Sequence, residues 1–93
     1  MKICRHFLVS GKVQGVFYRD STQQTAQNLD LTGYVKNLVN GQVEIEICGE
    51  QSSLDEFQQW LWKGPIMSKV EDIQIQDIPM KNYSRNFSSF DIR

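Results

Sequence analysis

Arg19 closes a glycine-bracketed run, Gly11-Lys12-Val13-Gln14-Gly15-Val16-Phe17-Tyr18, and stands where a helical pattern begins. Backbone N–H groups of a tight loop, continued by the unpaired amides of a helix's first turn, form a site for phosphate or carboxylate, and the helix dipole strengthens it. A cation placed there runs against that dipole by a few tenths of a kcal/mol. Such broken local rules tend to mark function. Plainer readings stand beside this one: Gly11 and Gly15 supply positive φ for a tight connection, and Arg19 is a solvated helix residue.

The neighbourhood narrows the chemistry. The run lacks the Gly-Lys-Ser/Thr ending of a Walker A loop, so no nucleotide is implied. No Ser–His pair, cysteine or carboxylate dyad lies near it in sequence to act as nucleophile or strong base. A reaction here must need little acid–base help. That suits a phosphoryl bond with a good leaving group, where positioning and charge stabilisation dominate.

Composition sets further bounds. At 93 residues the chain is expected to form one domain with its own core. Ten Lys plus Arg against eleven Asp plus Glu give a net charge of −1, which argues against a surface built to neutralise many polynucleotide phosphates. One phosphate fits. The start, MKICRHFLVSG, has no sustained apolar run, and no stretch approaches the roughly 20 apolar residues that span a bilayer, so a cytoplasmic protein is expected. Two cysteines and one histidine are too few for a tetrahedral zinc site, and no metal is expected.

The elements that must position the loop follow from periodicity. Ile3, Phe7 and Val9 share one parity over residues 3–10, with Arg5 the exception, and predict a half-buried strand. Tyr18, Thr22, Ala26 and Leu29 fall at helical spacing in a stretch free of Gly and Pro, a first amphipathic helix closed by residues 30–32. Residues 33–39 and 42–48 read as two strands joined at Asn40-Gly41, a strong hairpin signal. Ser53-Leu54-Asp55-Glu56 has the form of a capping box, opening a second helix that buries Leu54, Phe57 and Leu61 and ends at Gly64-Pro65. Val70, Ile73, Ile75 and Ile78 predict a fourth strand whose parity slips after Val70, through a bulge or a late start. Residues 87–92, from Phe87 to Ile92, supply a short terminal strand.

Strand, helix, strand, strand, helix, strand is the split βαβ order of a ferredoxin-like α+β sandwich, βαββαβ, with two helices on one face of an antiparallel sheet. There the third strand lies between the first and second, and right-handed crossovers set the C-terminal ends of strands 1 and 2 at one edge. The glycine loop therefore sits near Asn37. Its parity matches Val35, so its side chain points to the helix-covered side, toward Arg19. Asn37 alone reads as a hydrogen-bonding strand end before a turn. Together, a guanidinium, several loop amides and a carboxamide offer a fork of donors for phosphoryl oxygens and a holder for one water.

On these residues the chain resembles the acylphosphatase family. Val9-x-Gly11-x-Val13-Gln14-Gly15-Val16-x-Tyr18-Arg19 is similar to the family's first signature, and Gly33-Tyr34-Val35-Lys36-Asn37-x-x-x-Gly41-x-Val43-x-x-x-x-x-Gly49 to its second. The resemblance runs through the whole chain to Phe90-x-Ile92-Arg93. It implies hydrolysis of a carboxyl–phosphate anhydride to carboxylate and inorganic phosphate, with no metal or organic cofactor. It also implies that Arg19 and the amides from Gly11 to Phe17 (Gly11, Lys12, Val13, Gln14, Gly15, Val16, Phe17) bind the phosphate. Asn37 would orient the attacking water, whose proton would pass to the substrate's own phosphate. Two positions depart from the family: Tyr18 where Phe or Met is usual, and Leu38 where some members carry a hydroxyl beside the catalytic Asn, a change that bears on rate. The expected partners are a small acyl phosphate and inorganic phosphate, with no nucleic acid and no membrane, for a monomer. The alternative is a noncatalytic anion- or nucleic-acid-binding module on the same fold.

If Val9 faces Val43 and Phe7 faces Ile45, the same register sets Cys4 opposite Cys48 on the open face of the sheet. That spacing allows a disulfide, whereas a reducing cytoplasm favours two thiols; neither is needed for catalysis. His6 shares the parity of Cys4 and reads as a surface residue. Of Trp60 and Trp62, one is expected to pack at the edge and one to be partly exposed. RNA binders of this fold stack bases on aromatic residues of the open face, but here that face offers Cys4, His6, Leu8, Glu44, Glu46 and Cys48.

Overall fold

A computed structural model of the chain describes residues 1–78 and 88–93. The elements run β1 (Lys2–Lys12), α1 (Tyr18–Asn28), β2 (Thr32–Asn37), β3 (Val43–Glu50), α2 (Gln51–Lys63), β4 (Lys69–Ile78) and β5 (Phe90–Ile92). The expected start of the last strand at Phe87 lies outside the described residues. One five-stranded sheet has the order β4-β1-β3-β2-β5. The central pairing has the expected register, with Val9 opposite Val43, Phe7 opposite Ile45 and Cys4 opposite Cys48.

The expected antiparallel sheet holds for β1 to β4, but β5 runs parallel to β2, so the sheet is mixed. The reason is topological. β4 occupies one edge and runs against β1, so a strand reaching the opposite edge after one reversal follows the direction of β2. The parity slip in β4 is a bulge: Ser10 faces Asp72 whereas Gly11 faces Val70, and Glu71 is the extra residue. Gly11 sits there at φ +126°, and a Cβ would collide with the Lys69 carbonyl, so only glycine lets the two backbones approach.

Both helices bury their apolar stripes on one face of the sheet. Tyr18, Thr22 and Ala26 of α1 and Leu54, Phe57 and Leu61 of α2 are buried, and the apolar ones share a core with Phe7, Val9, Val35, Val43, Ile45 and Ile47. The Phe57 ring lies 6.0 Å from Phe7 and 6.5 Å from Phe90. Trp60 packs against this cluster while Trp62 is exposed. Arg5, the exception to its strand's parity, is buried beneath α2. Its Nε donates to Asp77 at 2.9 Å, and its Nη1 donates to Asp55 at 2.9 Å and to Gln58 at 3.2 Å. Burial opposes its charge, but the two carboxylates outweigh that and hold the guanidinium protonated while joining β1, α2 and β4.

The expected capping box is absent. α2 begins at Gln51 with Glu50 as its N-cap, no side chain among the described residues caps it, and Ser53 lies inside the helix. Because β3 stays paired out to Glu50, the chain enters the helix straight from the strand, and the Gln51 N–H donates to the Met1 carbonyl at 3.0 Å instead. The hairpin after β2 is also a little wider than a two-residue Asn-Gly turn. Leu38 N–H donates to Gln42 O at 2.8 Å, Gly41 N–H donates to Leu38 O at 3.2 Å, and Asn40 Oδ1 accepts from Gln42 N–H at 3.0 Å. On the other face of the sheet Cys4 and Cys48 are joined as a disulfide, with Cα atoms 4.1 Å apart. Among the described residues no helix is long and apolar enough to cross a membrane.

Candidate active site

β1 delivers the chain into the loop 13–17, and α1 starts directly after it. The first bond into α1 runs from the Ser21 N–H to the Phe17 carbonyl at 3.0 Å, so the amides of Tyr18, Arg19 and Asp20 precede the helical ladder. Phe17 is the N-cap, in the left-handed region at φ 62°, and among the described residues no side chain bonds to the cap. A bulky residue there costs roughly 1–2 kcal/mol. Gly15, at φ +73°, makes the preceding turn without that cost. Gln14 faces away and holds the loop in place: its Nε2 donates to the carbonyls of Leu38 at 2.8 Å and Gln42 at 2.9 Å.

Above this loop opens a recess of about 270 Å³ lined by Val13, Gly15, Phe17, Tyr18, Arg19, Asp20 and Asn37. Five of the expected site residues therefore meet: Val13, Gly15, Phe17, Arg19 and Asn37. Gly11 and Lys12 belong to β1, paired with Val70 and Lys69, and lie outside the lining, whereas Val16 packs against the core. Asp20 was not singled out from the sequence. As an acid in the first turn of α1 it supplies the charge the dipole favours, beside an Arg19 that the dipole disfavours.

Asn37 stands at the end of β2, and its Oδ1 is buried with no hydrogen-bond partner among the described residues. A buried carbonyl oxygen left so costs about 1–3 kcal/mol, and it offers an acceptor to any donor entering the recess. The Arg19 Nη1 donates to the Arg93 carbonyl at 3.2 Å from an exposed position. Tyr18 is buried, and its hydroxyl donates to the Leu61 carbonyl at 2.8 Å, which satisfies it and ties α1 to α2; burial pushes its pKa well up. The phenol is a structural strut.

This meeting of a loop and a helix N-terminus with an asparagine at the neighbouring strand end coincides with a match of the acylphosphatase family's sequence model to residues 5–92. The chain belongs to the acylphosphatase family. An acylphosphatase of Coxiella burnetii is 47% identical over 81 residues, 87% of this chain and 85% of that one. A solved acylphosphatase structure from Coxiella burnetii superposes with a TM-score of 0.90 at 42% identity, covering 99% of this chain and 93% of that one. The acylphosphatase structure of Bacillus subtilis gives a TM-score of 0.91 at 32% identity, with 98% of both chains covered. The likeness to these acylphosphatases covers nearly the whole of this chain.

Proposed function

We propose that this chain hydrolyses small acyl phosphates to carboxylate and inorganic phosphate. In this reading amides of the loop between β1 and α1, of which Gly15 and Phe17 line the recess, and the Arg19 guanidinium hold the phosphoryl oxygens, and Asn37 holds the attacking water. The observation that carries it is the buried Asn37 Oδ1, without a hydrogen-bond partner among the described residues, in the same recess as Arg19 and the helix N-terminus. A water donating to that oxygen is held for attack on phosphorus. As its P–O bond forms, the bond from phosphorus to the acyl oxygen breaks, the carboxylate leaves with that electron pair, and the water's proton passes to the phosphate. Arg19 and the amides stabilise the charge on the phosphoryl oxygens through the transition state. A carboxylate leaves readily, so no strong base and no metal or organic cofactor is required of the site. The reading includes a monomer acting in the cytoplasm without nucleic acid. A noncatalytic binding module is not favoured, since the relatives matched over most of the chain are named as acylphosphatases.

The experiment is phosphate release from an acyl phosphate in the presence of chelator. Arg19→Ala and Asn37→Ala should each lower kcat/KM by roughly 10²–10³-fold, the scale of losing one preorganised charge-stabilising group. Full activity in either variant removes that residue from the mechanism. No hydrolysis by the parent chain, together with salt-dependent oligonucleotide binding, would establish the noncatalytic module instead.

A further inference from the structure

Phe17 breaks two rules at once. It is a bulky residue held at φ 62°, and it is 77% exposed although aromatic. Neither the core nor a helix cap accounts for it, since its side chain is outside the buried cluster and α1 carries no side-chain cap there among the described residues. Its place does account for it. Phe17 lines the recess, between the turn at Gly15 and the guanidinium of Arg19.

Two further loops leave the same edge of the sheet. Residues 38–42 follow Asn37, whose partner is Val43, and residues 64–68 lead into Lys69, which faces Lys12 at the end of β1. Each carries an apolar side chain directed at solvent: Val39 on the first, fully exposed, and Ile66 and Met67 on the second, 97% and 63% exposed. The second loop also adjoins the recess wall, because a Cβ on Gly64 would press on the Tyr18 ring. Exposed apolar groups thus stand on all three loops at the end of the sheet where the recess opens, beside the polar side chains of Arg19, Asp20 and Asn37.

We infer that Phe17 is a specificity-determining residue, whose ring receives the apolar part of the acyl group and directs the enzyme to acyl phosphates with aromatic or branched hydrocarbon substituents. This rests on the acyl phosphatase reading above. With the phosphoryl group in the cradle, the acyl group is the only part of the substrate that must leave the recess past its rim, so it is what an aromatic rim residue meets. A substituent placed against the ring sheds apolar surface from water, whereas an acetyl group presents one methyl and gains little. The left-handed backbone at Phe17 holds the ring out over the mouth instead of folding it into the core.

The test is the ratio of kcat/KM for benzoyl phosphate to that for acetyl phosphate, in the parent chain, Phe17→Leu and Phe17→Gly. A ratio is insensitive to a general loss of phosphate binding, which lowers both values together. The ratio should fall about tenfold in Phe17→Gly, and by less in Phe17→Leu, which keeps apolar bulk. If Phe17→Gly is too weak to assay, the Phe17→Leu ratio decides. A ratio unchanged in the variants that turn over shows that the ring does not read the acyl group and overturns this inference alone. Absence of hydrolysis of either compound by the parent chain overturns the underlying enzymatic reading, and this inference with it.

Discussion

Gln14 and Leu38 are joined by a 2.8 Å hydrogen bond from the carboxamide Nε2 to the main-chain carbonyl, which clamps the 13–17 loop to the turn that begins directly after Asn37. The same nitrogen also reaches the Gln42 carbonyl at 2.9 Å. One side chain therefore ties together the two segments that meet at the recess. Gln14→Ala should take one of two donors from each of the Leu38 and Gln42 carbonyls, which keep the Gly41 and Leu38 amides, and cost about 1 kcal/mol in urea unfolding. It should also lower turnover, because small misplacements of positioned groups are costly. An unchanged kcat with only a stability loss would limit Gln14 to holding the fold.

Arg19 is bonded to the Arg93 carbonyl at 3.2 Å and sits where the helix dipole disfavours it, so an anion in the recess relieves an unfavourable placement. Inorganic phosphate at 100 times its Kd should stabilise the folded chain by about 2.7 kcal/mol. Thermal unfolding with and without phosphate reads this directly. In Arg19→Ala the shift should largely vanish; an equal shift in that variant would place the anion elsewhere.

The Cys4–Cys48 disulfide joins β1 to β3 across a sequence separation of 44 residues, on the face opposite the helices. Closing a loop of that length removes unfolded-state entropy worth about 4 kcal/mol in the chain-entropy picture. Reduction should therefore lower the urea midpoint clearly while leaving acyl phosphate hydrolysis intact at temperatures where both forms are folded. Activity lost in the reduced, folded chain would show that the bridge shapes the site.

Tyr34 shares the open face, donating its hydroxyl to Glu44 Oε1 at 3.1 Å beneath the Arg93 guanidinium, 4.5 Å from the ring centroid. Burial, then the nearby charges of Glu46 and Glu44, push its pKa up to about 12, against the opposing pull of Arg93. Since the folded value lies above the unfolded one of about 10, its contribution is complete below pH 10 or so and is lost as pH rises through about 12. Tyr34→Phe should show a shallower fall in urea midpoint over that window. Identical slopes in the two proteins would exclude the phenol as the titrating group.

Much of the lining of the recess was legible in the chain. That Gly15, Arg19 and Asn37 meet at one recess could be foreseen because glycine spacing, a misplaced charge and strand parity are local, and because the split βαβ order admits few arrangements. The register of β1 on β3 followed from matching apolar faces, since a one-residue slip would turn every side chain over. Two local signals failed where a neighbour supplied a better partner. The Ser53 cap was overridden by a strand that stays paired to Glu50 and a Met1 carbonyl that takes the Gln51 amide. Gly11 looked like part of the loop but serves the close approach of β4 at the bulge.

The amino-acid order by itself determined the alternating and helical faces, the loop that starts α1, and which residue types could hold a phosphate. Only the tertiary structure decided that β5 lies parallel to β2, that Arg5 is buried between Asp55 and Asp77, that Gln14 clamps the loop, and that Asn37 Oδ1 has no donor among the described residues. The reason is physical. Periodicity reports which side of an element is apolar, whereas the satisfaction of a polar atom depends on groups brought close from distant parts of the chain.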